Sequence, residues 1–152
     1  MSNFKIYLKS ILTTVILGSF VGFIISGFID YNSFEKPLFS PPSSIFPIVW
    51  TILYILMGVS YGILKSNKLV DQEINLVYYF QLIINLIWPI FFFVLEWRLF
   101  AFLWIILLIV LVIDMIIKFY NKNKLAGLLQ LPYLIWLVFA SYLNLGVYLL
   151  NK

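Results

Sequence analysis

Five long apolar stretches, nearly free of charge, run through this 152-residue chain at about 8–29, 45–64, 74–95, 99–119 and 125–150. Each reaches the roughly 20 residues that a helix needs to cross the hydrocarbon of a bilayer. Lipid offers the backbone no hydrogen-bond partners, so only helices and closed barrels span it, and barrel strands would show short alternating segments instead. The expected fold is therefore all-α: an integral membrane bundle of five transmembrane helices, one domain over 1–152, with the lipid bilayer as its first partner. None of the linkers is long enough for a soluble domain. The longest, at about 30–44, is expected to act as a lid.

Lys5 and Lys9 ahead of an apolar run could mark a signal peptide. The run is longer than a typical signal core, and Phe28, Ile29, Asp30 and Tyr31 make a poor cleavage site, so it is expected to stay as a span. The formal charge of +4 could point to nucleic acid, but the basic residues sit at the ends of spans and form no continuous face, so no nucleic-acid partner is expected. Lys5, Lys9, Lys65, Lys68, Lys118, Lys122 and Lys124 fall on one side of the membrane, against Lys36, Arg98 and Lys152 on the other. In a plasma membrane that asymmetry predicts a cytoplasmic N-terminus and an outer C-terminus.

The chain has no cysteine and no histidine, which removes thiol nucleophiles, Ser-His triads and the usual zinc ligands. No metal site is expected, and no acid-base or nucleophile constellation for conventional turnover. The carboxylate inside a span, Asp114, lies one turn from Lys118 and is read as half of a snorkelling i,i+4 ion pair.

In the third stretch Tyr78, Gln81, Asn85, Trp88 and Phe92 recur at steps of three and four, so they share one helix face. An amide facing lipid is costly, and Gln81 and Asn85 should turn into the bundle, bonding to neighbouring helices or lining a pocket. The second stretch aligns Trp50, Tyr54, Gly58 and Tyr61, and the fifth aligns Tyr133, Trp136, Ala140, Asn144 and Tyr148. Three such faces can enclose a flat, mainly apolar ligand; a packed aromatic core without a ligand is the other reading. Gly18, Gly22 and Ser26, with Gly58 and Gly62, mark close helix approaches inside the bundle ahead of a dimer seam. Pro89 and Pro132 are expected to kink their helices, whereas Pro47 opens one. Trp97 and Trp104 are read as interfacial anchors.

The linker and its flank read Tyr31, Lys36-Pro37, Phe39, Pro41-Pro42, Phe46, Val49-Trp50 and Leu53-Tyr54. With Gln81, Asn85, Trp88, Phe91 and Phe92, and with Pro132-Tyr133-Leu134, Trp136, Phe139-Ala140 and Leu143-Asn144, these blocks resemble the translocator protein family, also called tryptophan-rich sensory proteins, over essentially the whole chain. Two positions depart: Ser44 stands where an aromatic is often found, and Pro89 where a small polar residue is common.

The resemblance implies a bacterial member, commonly a homodimer, whose cavity binds protoporphyrin IX and other hydrophobic ligands without covalent attachment, as sensor, carrier or scavenger. Carried over position by position, the pocket would be Tyr31, Pro42, Trp50, Asn85, Phe91, Trp136 and Ala140. Tyr54 and Trp88 join them from the aligned faces. Trp50 and Trp136 match tryptophans used by some relatives in light- and oxygen-dependent porphyrin breakdown, which is the alternative function. An ion-coupled transporter or channel is the weakest reading, since five spans offer no two-fold repeat. Leu145, Tyr148 and Lys152 satisfy a loose sterol-binding pattern.

Overall fold

The computed structural model describes residues 2–152. Among them, five helical segments are long and apolar enough to cross a membrane. Helix α1 (Asn3–Ile25) continues into a 3-10 turn at Ser26–Phe28, followed by α2 (Ile45–Ser66) and α3 (Gln72–Pro89). Helix α3 runs on through a π-helical turn, Ile90–Val94, before α4 (Arg98–Lys122), the short α5 (Lys124–Leu128) and α6 (Leu131–Asn151). The expected all-α membrane bundle is the observed one.

Local chemistry sets several boundaries. The Asp71 carboxylate accepts from the Ile74 N–H at 2.9 Å and caps α3, and the Asn123 side chain accepts from Ala126 at 3.1 Å and caps α5. Glu96 takes a left-handed backbone, φ 56°, which turns the chain between the π-turn and α4. At Pro89 the missing N–H breaks α winding. The chain answers with i→i+5 bonding, Leu95 N–H to Ile90 C=O at 2.9 Å.

Pro132 behaves differently from the expected mid-helix kink. The fifth span breaks at Leu129–Gln130, and Pro132 falls in the first turn of α6, where its absent N–H is one that the helix would leave unpaired anyway. Trp104 has a packing role between helices beyond the interfacial one expected of it. It is half-buried, and its indole N–H donates to the Ile84 C=O at 2.8 Å, tying α4 to α3.

Helix α4 packs against α3, α5 and α6, and Ile105, Leu108, Val112, Met115 and Phe119 are buried along it. Helix α1 packs chiefly along α2. Glycine makes that seam possible: Gly58 lies against the backbone of Ser10 and Ile11, Gly62 against the Tyr7 ring and Gly18 against the Tyr54 ring. The Thr14 hydroxyl adds a bond to the Tyr54 C=O at 2.6 Å. Gly22, one turn beyond Gly18, has no atom of the described residues within 4 Å of where a Cβ would stand.

At the lysine-rich end of the bundle, Lys118 reaches Asp114 at 2.9 Å, as its spacing predicts, and Glu73 of α3 at 3.3 Å. Lys122 reaches Asp71 at 2.8 Å. The Lys122 ammonium and the Ile74 N–H hold the Asp71 carboxyl below the usual carboxylate range.

Candidate functional site

A cavity of about 420 Å³ opens between α1, α2, α3 and α6, under the loop that joins α1 to α2. That volume lies within the roughly 300–1,000 Å³ range of small-molecule pockets. Its walls are mostly apolar and aromatic, and α4 contributes nothing to them. Tyr31, Trp50, Tyr54, Asn85, Trp88, Trp136 and Ala140, all named from the sequence, line it together.

The aromatic rings fall into two groups. Tyr31 stacks on Phe46 at 5.1 Å between centroids, and Phe46 meets Trp136 edge-on at 5.9 Å. Trp50 lies 5.8 Å from Tyr54 and 6.5 Å from Tyr133. Burial pushes the Tyr31 phenol up to about 12, so it stays neutral across the physiological range. The indole N–H of Trp136 is buried without an acceptor among the described residues.

The floor is a closed polar set. The Tyr54 hydroxyl donates to Asn85 Oδ1 at 2.6 Å, Asn85 Nδ2 donates to the Tyr133 hydroxyl at 2.7 Å, and that hydroxyl donates to Gln81 Oε1 at 2.8 Å. Gln81 and Asn85 are 0% and 3% exposed, so both amides turn inward as their spacing predicts. An unpaired donor at this depth costs about 1–3 kcal/mol, which explains why these side chains occur as a satisfied network. Asn85 thus lines the cavity with both its amide atoms engaged, and its first effect is to hold Tyr54. Nearer the loop, Trp88 Nε1 donates to Asn144 Oδ1 at 3.0 Å, and Asn144 Nδ2 donates to the Arg98 C=O at 2.8 Å.

Two residues named from the family pattern lie elsewhere. Phe91 faces away from the cavity, stacked near Trp97 at 6.0 Å and edge-on to Trp104 at 4.9 Å, while Phe92 and Phe93 line the cavity. The π-turn after Pro89 adds a residue to the winding, which rotates Phe91 toward α4. Helical spacing through Gln81, Asn85 and Trp88 already pointed to Phe92. Pro42 is exposed and outside the lining; its C=O accepts from Ile45 N–H at 3.0 Å, so it shapes the turn that starts α2.

The loop over the cavity is strapped to α6. Asn151 accepts from the Glu35 N–H at 2.9 Å and donates to its C=O at 2.8 Å, Tyr142 donates to the Leu38 C=O at 2.6 Å, and Pro37 packs on Gly146. From the loop, Tyr31, Phe34, Lys36 and Ser40 line the cavity. Phe34 and Lys36 were missed as site residues; long-range straps to α6 leave no signal in the spacing of the loop itself. Leu145 is absent from the cavity lining, and Tyr148 and Lys152 border a separate hollow with Glu96, Trp97 and Arg98.

Fold and site together define a polytopic helical membrane protein built around an aromatic-walled cavity under an extramembrane loop. Residues 10–150 match the TspO/MBR family. A tryptophan-rich protein TspO of Archaeoglobus fulgidus is 42% identical over 122 residues, 80% of this chain and 79% of that protein. A protein of the same name from Chlorobaculum tepidum is 36% identical over 80% of this chain and 78% of its own, and the translocator protein of Sus scrofa is 32% identical over 80% and 75%. The chain belongs to the TspO/MBR family.

Proposed function

We propose that the cavity binds a flat, mainly apolar tetrapyrrole of the protoporphyrin IX kind, and that the protein serves as a sensor, carrier or scavenger of such molecules in the membrane. The observation that carries this reading is that Trp50 of α2 and Trp136 of α6 line one cavity beneath the loop. Indole faces suit a planar macrocycle, each aromatic contact adding about 0.5–1.5 kcal/mol beyond burial. Titrating protoporphyrin IX into the purified protein, followed by tryptophan-fluorescence quenching, tests it. Replacing both Trp50 and Trp136 with leucine should weaken binding roughly tenfold or more. Unchanged affinity in that double variant overturns the reading.

Light- and oxygen-dependent degradation of the bound pigment is a second reading, favoured by the same two indoles. It requires a product spectrum that illuminated pigment in detergent alone does not give.

The setting we assign is a bacterial plasma membrane, with a homodimer as the assembly, the N-terminus cytoplasmic and the C-terminus outside. Support for the orientation comes from the lysine distribution. Cysteine reporters at Ser2 and Lys152 test it: labelling from outside the cell should reach the second alone, and labelling of the first alone reverses the topology.

A further inference from the structure

Among the described residues, Lys36 is the one cation in the cavity lining, and no acid stands there with it. Its ammonium donates to the Tyr31 C=O at 2.5 Å and lies 5.8 Å from the centroid of the Phe34 ring. An ammonium has three donors, so the bond to Tyr31 leaves capacity for a guest. The acids of the loop do not consume it. Asp30 accepts from the Asn32 N–H at 3.0 Å, Glu35 is engaged through its backbone by Asn151, and neither forms an ion pair with Lys36 among the described residues. A second cation lies against Phe34: the Arg98 guanidinium carbon is 4.7 Å from the Phe34 centroid and 5.2 Å from that of Phe92. Arg98 likewise has no carboxylate partner among the described residues.

The cavity is thus polarised. Its loop end carries positive charge beside low-dielectric aromatic walls, which focuses potential at the mouth. Its deep end holds neutral hydroxyls and amides already bonded to one another.

We propose that Lys36 reads the acid edge of the guest, so that the cavity selects a flat apolar ring bearing carboxylates on one side, the ring lying inward along Trp50 and Trp136 and the carboxylates outward at the loop. This rests on the tetrapyrrole reading above and narrows it to a carboxylate-bearing member of that class. Lys36 supplies specificity rather than the bulk of the affinity, because a charge at a solvated mouth contributes modestly.

The test compares protoporphyrin IX with its dimethyl ester, the full chain being held in phosphatidylcholine nanodiscs and dissociation constants read by tryptophan quenching. Each ligand partitions differently into lipid, so the informative quantity is the ester-to-acid ratio of dissociation constants in wild type relative to a variant. Lys36→Gln should lower that ratio roughly fivefold, and Lys36→Arg should keep it. Added salt should weaken acid binding in wild type more than ester binding. A ratio equal in wild type and Lys36→Gln overturns the carboxylate assignment while the tetrapyrrole reading stands. If neither compound binds, both fall. If anionic phosphatidylglycerol in the nanodisc abolishes the difference in that ratio between wild type and Lys36→Gln, the ammonium serves a lipid phosphate and the assignment is overturned. The arginine variant and the ester guard against a merely misfolded loop, since loss of loop structure would weaken both ligands together.

Discussion

Replacing Gly58 with leucine is expected to strip α1 from α2, lower the melting temperature in detergent sharply and abolish ligand binding. Even a single Cβ at this position would stand 2.5 Å from the Ile11 Cα, 2.8 Å from the Ile11 nitrogen and 2.9 Å from the Ser10 carbonyl oxygen. Those atoms are backbone and cannot rotate aside, so the helices must separate. Overpacking of this kind costs about 1–3 kcal/mol for small additions and more for large ones. Alanine alone should therefore lower the melting temperature. At Gly62 the obstacle is the Tyr7 ring, which can swing, and alanine there should cost less. Gly27 has open space around it and serves as the control.

The loss of binding follows from the position of α1. Its inner face supplies the cavity wall from Val15 to Ile25, while its packing to the rest of the bundle runs chiefly through α2. Opening that seam opens the cavity to lipid. A Gly58→Ala protein that melts as wild type would show that the seam does not hold the bundle together.

The opposite outcome is expected one face away. Gly22→Trp should leave the melting temperature close to that of wild type and weaken porphyrin binding by roughly tenfold to a hundredfold. Gly22 lines the cavity, and a Cβ built on it meets nothing within 4 Å. An indole grown from that point occupies space the guest needs, with little of the native packing to displace. Gly22→Ala should bind nearly as wild type, since one methyl leaves most of the roughly 420 Å³ free. Normal binding by Gly22→Trp, in a folded protein, would place the ligand outside this cavity. Together the two glycines separate stability from binding: one holds helices together and the other keeps a volume open.

Nothing in the sequence distinguishes these two glycines. Gly18 and Gly22 on α1, and Gly58 and Gly62 on α2, all read as sites of close approach from their spacing of four. Spacing says that positions share a helix face; it does not say how far along that face the neighbouring helix remains in contact. Both Gly18 and Gly22 line the cavity, but at Gly18 the Tyr54 ring stands against the helix, and one turn on, at Gly22, the space is open.

Phe91 and Phe92 teach a related lesson. Family pattern favoured the first, regular helical spacing the second, and the cavity is lined by Phe92 and, within the π-turn after Pro89, by Phe93 as well. Pro132 shows the converse, where a proline read as a kink proved to sit at a helix start because the chain turns at Leu129–Gln130. Both cases turn on which backbone carbonyl has a donor, and that depends on where a helix begins.

What the sequence determined by itself was the set of spans, the inward turn of Gln81 and Asn85, and the pairing of Asp114 with Lys118. These are strong local preferences: a long apolar run must be helical in lipid, an amide must leave it, and opposite charges one turn apart can meet on any helix. Only the tertiary structure decided where the cavity lies, which aromatics face it, and that Lys36 is brought to its mouth by a loop strapped to Tyr142 and Asn151 more than 100 residues away. Those outcomes depend on the rotation and divergence of packed helices, which are properties of pairs of surfaces and are carried by neither surface alone.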